Sequence, residues 1–475
     1  MKYSKNKRLF DFNLPTLIVG MGTSGLSCAR YLSNKNCSFD IADSRDDVEF
    51  KQTMSNQFNT SRLLTGDFNF LLFKNYAQII VSPGISIRSR LFIELQQQGC
   101  FILGDVELFA QAVDKPVIAI TGSNGKSTVT TLVENIAQYC GLKAIAGGNL
   151  GIAALDLLET NSDLYILELS SFQLESCYSL QTLSAVVLNV SADHMDRYND
   201  LDDYRRVKEN IYQYCQYAVL NCQENITTQR IKQAIDKGIV KAEMIFFGEY
   251  CDASEQPEYY LSNGKQLMRD EKKLLSASEI KIKGKFNYLN ILAAMALLKP
   301  LALNNEQQLQ AIKEYRGLPH RCEWLASIDG VDFYNDSKGT NTGATMAAIN
   351  SVVMELPMEK QKSVVLIAGG VAKDADFKDL GKLINHKIKF TVLLGVDALQ
   401  IKSSAIAAGA KNDQFYLAQS MREAVLYANN LAKKGDVILL SPACASFDMY
   451  KNYQQRGEDF KKNVVQLQRD LKHVG

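Results

Sequence analysis

The chain is poor in histidine, tryptophan and proline, with four, one and eight of these among 475 residues. Neither sign of charge dominates: 53 Lys+Arg stand against 52 Asp+Glu, a formal net charge of +1. That balance argues against the broad basic face a nucleic-acid backbone needs, so no nucleic-acid partner is expected, while a local cationic site stays open. Long apolar runs are missing. The cleanest, such as Ile291–Leu298, are too short to span a bilayer, so no membrane insertion is expected. The basic stretch Met1 to Arg8 has no apolar segment behind it, which disfavours a secretory leader. The ten cysteines contain no C-x-x-C pair and no zinc-finger spacing with histidine, a pattern that predicts reduced thiols and a cytoplasmic location. There is no internal repeat, no low-complexity tract and no sign of a long disordered tail.

What is present is an apolar fraction of 46%, enough for large cores, on a length that suggests about three domains. Short apolar runs alternate with helical patterns along the whole chain. Thr16–Val19, Ser38–Ala42 and Ile79–Val81 read as strands, and Leu26–Leu32 and Leu91–Gln98 as helices. A second series opens with a strand at Val117–Ile120 and a helix at Ser127–Tyr139, closed by Gly141. Tyr165–Leu169 and Ala185–Val190 continue it as buried strands. Asn263-Gly264 within Tyr259–Met268 signals a hairpin, and Asn287–Leu298 reads as an apolar helix halted by Pro300. A third series has strands at Val331–Tyr334, Val364–Ile367, Val392–Leu394 and Val437–Leu440, then a long polar helix. Alternation of this kind predicts parallel sheets with crossover helices. The expected divisions are 1–102, 103–318 and 319–475.

Gly20-Met21-Gly22-Thr23-Ser24-Gly25 follows a strand, opens a helix and matches G-x-G-x-x-G, with Asp43 ending the next strand where a ribose-binding acid is expected. Glycines permit a tight turn and close approach of a diphosphate to helix amides. The motif does not separate NAD from another nucleoside diphosphate, and a plain tight turn remains the alternative. A second turn, Ser82-Pro83-Gly84-Ile85, reads alone as a simple turn.

Thr121-Gly122-Ser123-Asn124-Gly125-Lys126-Ser127-Thr128 joins a strand to a helix as a P-loop variant, with Ile120 where the strict pattern has its first glycine. Backbone amides would cradle phosphates, Lys126 would reach the β/γ oxygens and Ser127 would ligate Mg²⁺. A phosphate loop needs an acid from a neighbouring strand, and Glu168 ends one. The next strand runs into Asp193-His194-Met195-Asp196. His194 is the candidate there because the chain has so few histidines, while Asp196 serves loop solvation equally well.

Together these residues resemble the Mur ligase family, whose Thr-Gly-x-Asn-Gly-Lys-Ser/Thr signature Thr121–Ser127 matches. Gly317-Leu318-Pro319-His320-Arg321 and Asp336-Ser337-Lys338-Gly339-Thr340-Asn341 resemble later family motifs. Gly369–Phe377 and Ser441–Asp448 resemble the branch that adds D-glutamate. The resemblance spans the whole chain. It implies three consecutive α/β domains: an N-terminal Rossmann-like domain for the UDP-linked substrate, a central P-loop ATPase domain with a mostly parallel sheet, and a C-terminal Rossmann-like domain for the amino acid.

The implied activity is ATP-dependent addition of D-glutamate to UDP-N-acetylmuramoyl-L-alanine through an acyl phosphate, in peptidoglycan precursor synthesis. Gly22, Thr23, Ser24, Asp43, Ser44, Arg45, Gly84 and Asn149 would then meet the UDP-linked substrate. ATP would lie on Gly122–Thr128, Asn287, Asn290, Arg321 and Asp336. Ser127, Glu168, His194 and Lys208 would hold two Mg²⁺ ions. Thr340, Lys373, Ser441 and Phe447 would receive D-glutamate, and Lys338 would join Lys126, His194 and Lys208 in catalysis. On its own chemistry Lys208 reads as a solvated lysine on a charged helix. Only the resemblance makes it a carbamylated metal ligand. The implied protein is a cytoplasmic monomer with small-molecule partners. A ligase for another amino acid or for folate, an NAD-dependent oxidoreductase and a non-catalytic nucleotide switch are the rival readings. The last two leave the C-terminal motifs idle.

Overall fold

The computed structural model describes residues 9–58, 62–195, 197–249, 257–355, 362–372 and 375–474. Lys373 and Asp196 therefore lie outside the described residues. Two compact units divide the chain. One comprises Met1–Tyr260, Met268–Lys272 and Ile291–Ile312; the other comprises Leu261–Leu267, Lys273–Asn290 and Lys313–Gly475.

The first unit opens with five parallel strands: β1 (Thr16–Val19), β2 (Asp40–Asp43), β3 (Leu63–Thr65), β4 (Gln78–Val81) and β5 (Phe101–Leu103), ordered β3-β2-β1-β4-β5. All of β1 and β4 is buried, as expected of strands covered by helices on both faces. The chain leaves β1 toward β2 on one side and returns through β4 on the other. The turns after β1 and β4 therefore sit at the switch point where parallel sheets bind ligands.

A nine-stranded sheet follows: β6 (Val117–Thr121), β7 (Ala144–Gly148), β8 (Leu164–Glu168), β9 (Thr182–Val187), β10 (Cys215–Asn221), β11 (Glu243–Gly248), β12 (Tyr259–Ser262), β13 (Gln266–Arg269) and β14 (Lys272–Ser276). Its order is β14-β13-β12-β11-β10-β9-β6-β8-β7, and every pairing from β7 to β12 is parallel. β6 lies between β8 and β9, so the loop that leaves it is flanked by the ends of both. Asn263 and Gly264 have φ of 51° and 67°, the double left-handed turn that the hairpin expectation required.

The second unit holds β15 (Glu323–Ile328), β16 (Val331–Asn335), β17 (Val364–Ala368), β18 (Ile388–Leu393), β19 (Phe415–Leu417) and β20 (Val437–Leu440), ordered β15-β16-β20-β17-β18-β19. Among these named strands only the β15–β16 pair is antiparallel. The polar C-terminal helix, Tyr453–Val474, buries Phe460, Val464 and Leu467 in this unit's core.

The expected elements are present, with shifted ends. The apolar run predicts a strand over Ala185–Val190, yet β9 stops at Val187 because Asn189 turns aside to bond the loop after β6. Edge strands such as β3 and β5 carry three residues each, too short for a periodicity to register. Among the described residues eight cysteines are free, as expected, whereas Cys222 is disulfide-bonded, which corrects the all-thiol expectation.

Candidate active site

The loop after β6 has the backbone shape that the phosphate-loop expectation requires. Gly125 takes φ 84° as the N-cap of the helix Lys126–Tyr139, a backbone shape in which a side chain is strained. That helix turns its amide-rich, electropositive end toward the loop. Asn189 fixes the loop from the neighbouring strand end. Its Oδ1 accepts from Asn124 N at 2.8 Å and its Nδ2 donates to Asn124 O at 2.9 Å. Ser123 N donates to Asn189 O, and the Ser123 hydroxyl donates to Ser191 O while accepting from Ser191 N. Ser123 and Asn124 are thus pre-shaped by tertiary bonds, between Gly122 and the first helical turn of Lys126, Ser127 and Thr128. Sequence reasoning missed Asn189, whose only signal was an amide ending an apolar run.

Lys126 Nζ donates to Gly122 O at 2.8 Å and Ser123 O at 3.1 Å, at the mouth of its own loop. Lys208 Nζ reaches the same Gly122 O at 3.0 Å and lies over the Tyr204 ring, 4.5 Å from its centroid. Lys208 is 1% exposed, so the solvated reading is overturned. The physical reason lies in the helix Leu201–Glu209 and the turn after it. Tyr204, Val207, Lys208 and Ile211 form an i, i+3, i+4, i+7 stripe, all of it buried. A lysine inside an apolar stripe was the legible signal. Burial first, and then the Lys126 charge, holds the Lys208 amine well below the usual lysine range, against the pull of Asp193 and Glu168.

Glu168 ends β8 beside the loop and is 3% exposed. Its Oε1 accepts from Asn149 Nδ2 at 2.8 Å, and its backbone oxygen accepts from Asn149 N at 2.8 Å. Its Oε2 is buried without a hydrogen-bond partner. A buried carboxylate oxygen left bare costs on the order of a few kcal/mol, which a cation offsets. Among the described residues no three His, Cys, Asp or Glu side chains gather as a ready metal cage. Mg²⁺ needs none, since it is commonly held by one or two carboxylates, phosphates and water. Ser127, buried on the first helical turn, is the second candidate ligand. His194 has left-handed φ of 56°, a half-exposed ring 3.8 Å from Asp193, and a face 4.8 Å from the Phe172 ring.

In the first sheet, Gly25 packs against Gly20, so closely that a Cβ on Gly25 would strike Gly20 O. Ser82 donates to Gly20 O at 2.6 Å and so joins the two glycine turns. Asp43 is committed rather than free. Its carboxylate accepts from Met21 N at 2.7 Å and from Arg45 Nε and Nη2, both at 2.8 Å. Burial pushes this carboxyl up, and the Arg45 and Met21 bonds outweigh it, leaving Asp43 below the usual range. Ser24 bonds the buried Asp105 carboxylate. Gly22, Thr23, Ser44, Arg45 and Gly84 ring the turns as exposed residues.

In the second unit, Asn287 and Asn290 are buried at one end of the helix Lys285–Leu298, with Asn287 Nδ2 donating to Lys283 O at 2.8 Å. The loops after β16 and β20 meet. Ser441 Oγ donates to Asp336 Oδ2 at 2.7 Å and lies 2.9 Å from Thr345 Oγ1, and Ala443 N donates to Gly339 O at 2.8 Å. Burial pushes the Asp336 carboxyl up to about 7, against the Ser441 and Cys322 bonds and the Arg321 and Arg456 charges. Lys338 N donates to His320 O at 3.0 Å, its ammonium lies 4.3 Å from the Tyr453 centroid, and Thr340 N donates to Lys338 O. Phe447 is 65% exposed. Arg456, which sequence reasoning missed, clamps both loops: Nε and Nη2 donate to Ser337 and Nη1 to Cys444 O. In a polar helix nothing marked it.

The chain matches three family models: Mur ligase middle domain over residues 120–298, Mur ligase MurD-like N-terminal domain over 15–104, and Mur ligase glutamate ligase domain over 320–444. A protein of Marinobacter nauticus named UDP-N-acetylmuramoylalanine--D-glutamate ligase is 44% identical over 456 residues, 95% of this chain and 98% of that one. A protein of Nitrosococcus oceani with the same name is 42% identical over 453 residues, covering 95% and 96%. Among solved structures, a pseudomurein peptide ligase type C from Methanothermus fervidus aligns with a TM-score of 0.58 at 16% identity, covering 96% of this chain and 100% of that one, a likeness of fold.

Proposed function

The chain belongs to the Mur ligase family, and on that premise we propose how its own residues join D-glutamate to UDP-N-acetylmuramoyl-L-alanine with cleavage of ATP to ADP and phosphate. The observation that carries the reading is the pairing of a phosphate loop with the partnerless Glu168 Oε2 on the adjacent strand end. Glu168 and Ser127 fit one Mg²⁺. When bound, Mg²⁺ neutralises charge on the transferring phosphoryl group.

The substrate carboxylate attacks the γ-phosphorus of ATP, the bond to the ADP oxygen breaks, and an acyl phosphate forms. The amine of D-glutamate then attacks the acyl carbon and phosphate leaves. Lys126 turns its ammonium from Gly122 O and Ser123 O to the phosphate oxygens. Lys338 and Arg321 are the cations that the second unit would supply to the reaction. The turns at Gly22–Ser24, Ser44–Arg45 and Gly84 receive the UDP moiety, with Asp43 holding Arg45 in place. Asn149, bonded to Glu168 Oε1, would serve the UDP-linked substrate. Asn287, Asn290 and Asp336 serve the nucleotide, and Thr340, Lys373, Ser441 and the backbone at Phe447 serve D-glutamate.

Lys208 gains a second role from its depressed basicity. A neutral amine attacks carbon dioxide: an N–C bond forms, the nitrogen loses a proton, and a carboxylate-like carbamate results. That group, with His194, would hold a second Mg²⁺. Lys208 Nζ lies 3.0 Å from Gly122 O, on the loop after β6, and β6 pairs with the strand that ends at Glu168, which supports this placement. The proposed protein is a cytoplasmic monomer, as the family resemblance implies. Separately, no helix among the described residues is long and apolar enough to cross a membrane.

Phosphate release measured with ATP and Mg²⁺ should require both UDP-N-acetylmuramoyl-L-alanine and D-glutamate, and other amino acids should not replace the latter. Equal release with neither substrate present overturns the reading.

A further inference from the structure

Arg197 lies just beyond His194, and its N–H closes a turn onto His194 O at 3.0 Å. Its guanidinium leaves that loop and reaches the turn after β4: Nη1 donates to Pro83 O at 2.9 Å and Nη2 approaches Ile85 O at 3.4 Å. Nη2 also meets Glu175 Oε2 at 2.8 Å, and the guanidinium stacks 3.9 Å from the centroid of Phe172, the ring that touches His194. The Arg197 and Glu175 side chains are 9% and 4% exposed. Glu175 Oε1 takes a second guanidinium, Arg88, from the same turn region, and Arg88 continues to Asp203 on the helix that carries Lys208.

The geometry points to Arg197 as a positioning residue that couples the two ligand sites of the first unit. A desolvated bidentate guanidinium has strong, directional bonds and few alternative positions. Through it the Ser82–Ile85 turn, on the UDP side, is fastened to the His194 loop, on the metal side. Glu175 neutralises the guanidinium and anchors both arginines to the helix Ser171–Glu175 that follows Glu168. When UDP-linked substrate settles the Ser82–Ile85 turn, the Pro83 and Ile85 carbonyls hold Arg197, and Arg197 holds the His194 loop in its ligating place. Either ligand therefore pre-organises the site of the other, and the effect is reciprocal. Arg197 touches neither reacting atom; it acts through His194 and the turn.

The coupling rests on the two ligand sites assigned under Proposed function, and one experiment separates its failure from theirs. Calorimetry would measure the affinity of the full-length protein for UDP-N-acetylmuramoyl-L-alanine with and without a non-hydrolysable ATP analogue and Mg²⁺. In the unaltered protein, the analogue should tighten substrate binding about tenfold. In Arg197→Met the enhancement should fall to about twofold or less, with the affinity for each ligand alone changed less than about threefold. Arg197→Lys, which keeps the charge at Glu175 but cannot bridge two carbonyls, should recover only part of it. Glu175→Gln guards against a folding defect, since it leaves Arg197 in place and should also weaken the coupling. Full enhancement in folded Arg197→Met and Glu175→Gln proteins overturns the inference, as does equal enhancement in Arg197→Lys and the unaltered protein. Failure of the unaltered protein to bind the UDP-linked substrate at all would instead sink the functional reading.

Discussion

Lys126 and Lys208 direct their side-chain nitrogens at one acceptor, the carbonyl oxygen of Gly122, at 2.8 Å and 3.0 Å. One comes from the loop after β6 and the other from the helix Leu201–Glu209. Two ammonium groups cannot comfortably share that space in a low-dielectric setting. Burial first, and the Lys126 charge beside it, hold the Lys208 amine well below the usual lysine range.

Lys208→Met follows from this. The variant should lose at least about 100-fold in turnover, yet its melting temperature should not fall, because a buried amine is replaced by an apolar chain of similar volume and Gly122 O keeps Lys126. Phosphate release and calorimetric melting measure the two effects. Lys208→Ala should regain part of its activity with a small added carboxylate. Full unrescued activity in either variant removes Lys208 from the mechanism.

Glu168→Gln retains an acceptor for Asn149 but loses the charge that a cation would meet at Oε2. The Mg²⁺ concentration for half-maximal phosphate release should rise about tenfold or more, with kcat/KM down on the order of 100-fold. An unchanged Mg²⁺ dependence would place the metal elsewhere.

Asn189→Ala breaks the reciprocal pair with Asn124 and leaves two loop groups without side-chain partners. The expected cost is about 1–3 kcal/mol in stability, together with a several-fold rise in KM for ATP, because the loop is no longer pre-shaped. Asn189→Asp, which keeps one acceptor, should fall between the two. Steady-state kinetics across ATP concentration, with denaturant titration, would show whether that order holds.

Asp336 sets a pH dependence in the second unit. Its carboxyl is raised to about 7 in the folded protein, so between about pH 4 and 7 the folded state holds a proton that the unfolded chain has released. Stability should therefore fall as pH rises through that window, by up to about 4 kcal/mol, since each tenfold difference in proton affinity is worth about 1.4 kcal/mol. Trp324, the sole tryptophan, lies in the same unit and offers the signal. Urea midpoints by its fluorescence should drop between pH 5 and pH 8, and Asp336→Asn should flatten the drop. A parallel drop in the variant would assign the dependence to other groups.

Much of the fold was legible because its signals are local. Buried runs such as Thr16–Val19 and Val117–Thr121 need only their own composition, and the φ values of Gly125, Asn263 and Gly264 follow from turn chemistry within a few residues. The phosphate loop was equally plain. Lys208 was only half legible: the stripe of Tyr204, Val207 and Ile211 flags it, but Arg205, Arg206 and Glu209 beside it read as solvated, and Lys126 and Gly122 meet it only in space. Asn189, Arg197 and Arg456 were invisible for the same reason: each acts on backbone far along the chain.

By itself the sequence determined three sheets, the glycine turns at their strand ends and the lysine of the loop after β6, because periodicity and backbone strain are properties of short segments. Tertiary structure alone decided which polar groups lose water and face one another. It made Lys208 a weak base, left Glu168 Oε2 bare for a cation and tied Arg197 to the opposite turn. Desolvation and charge proximity depend on distances in space, and those exist only once the sheets have packed.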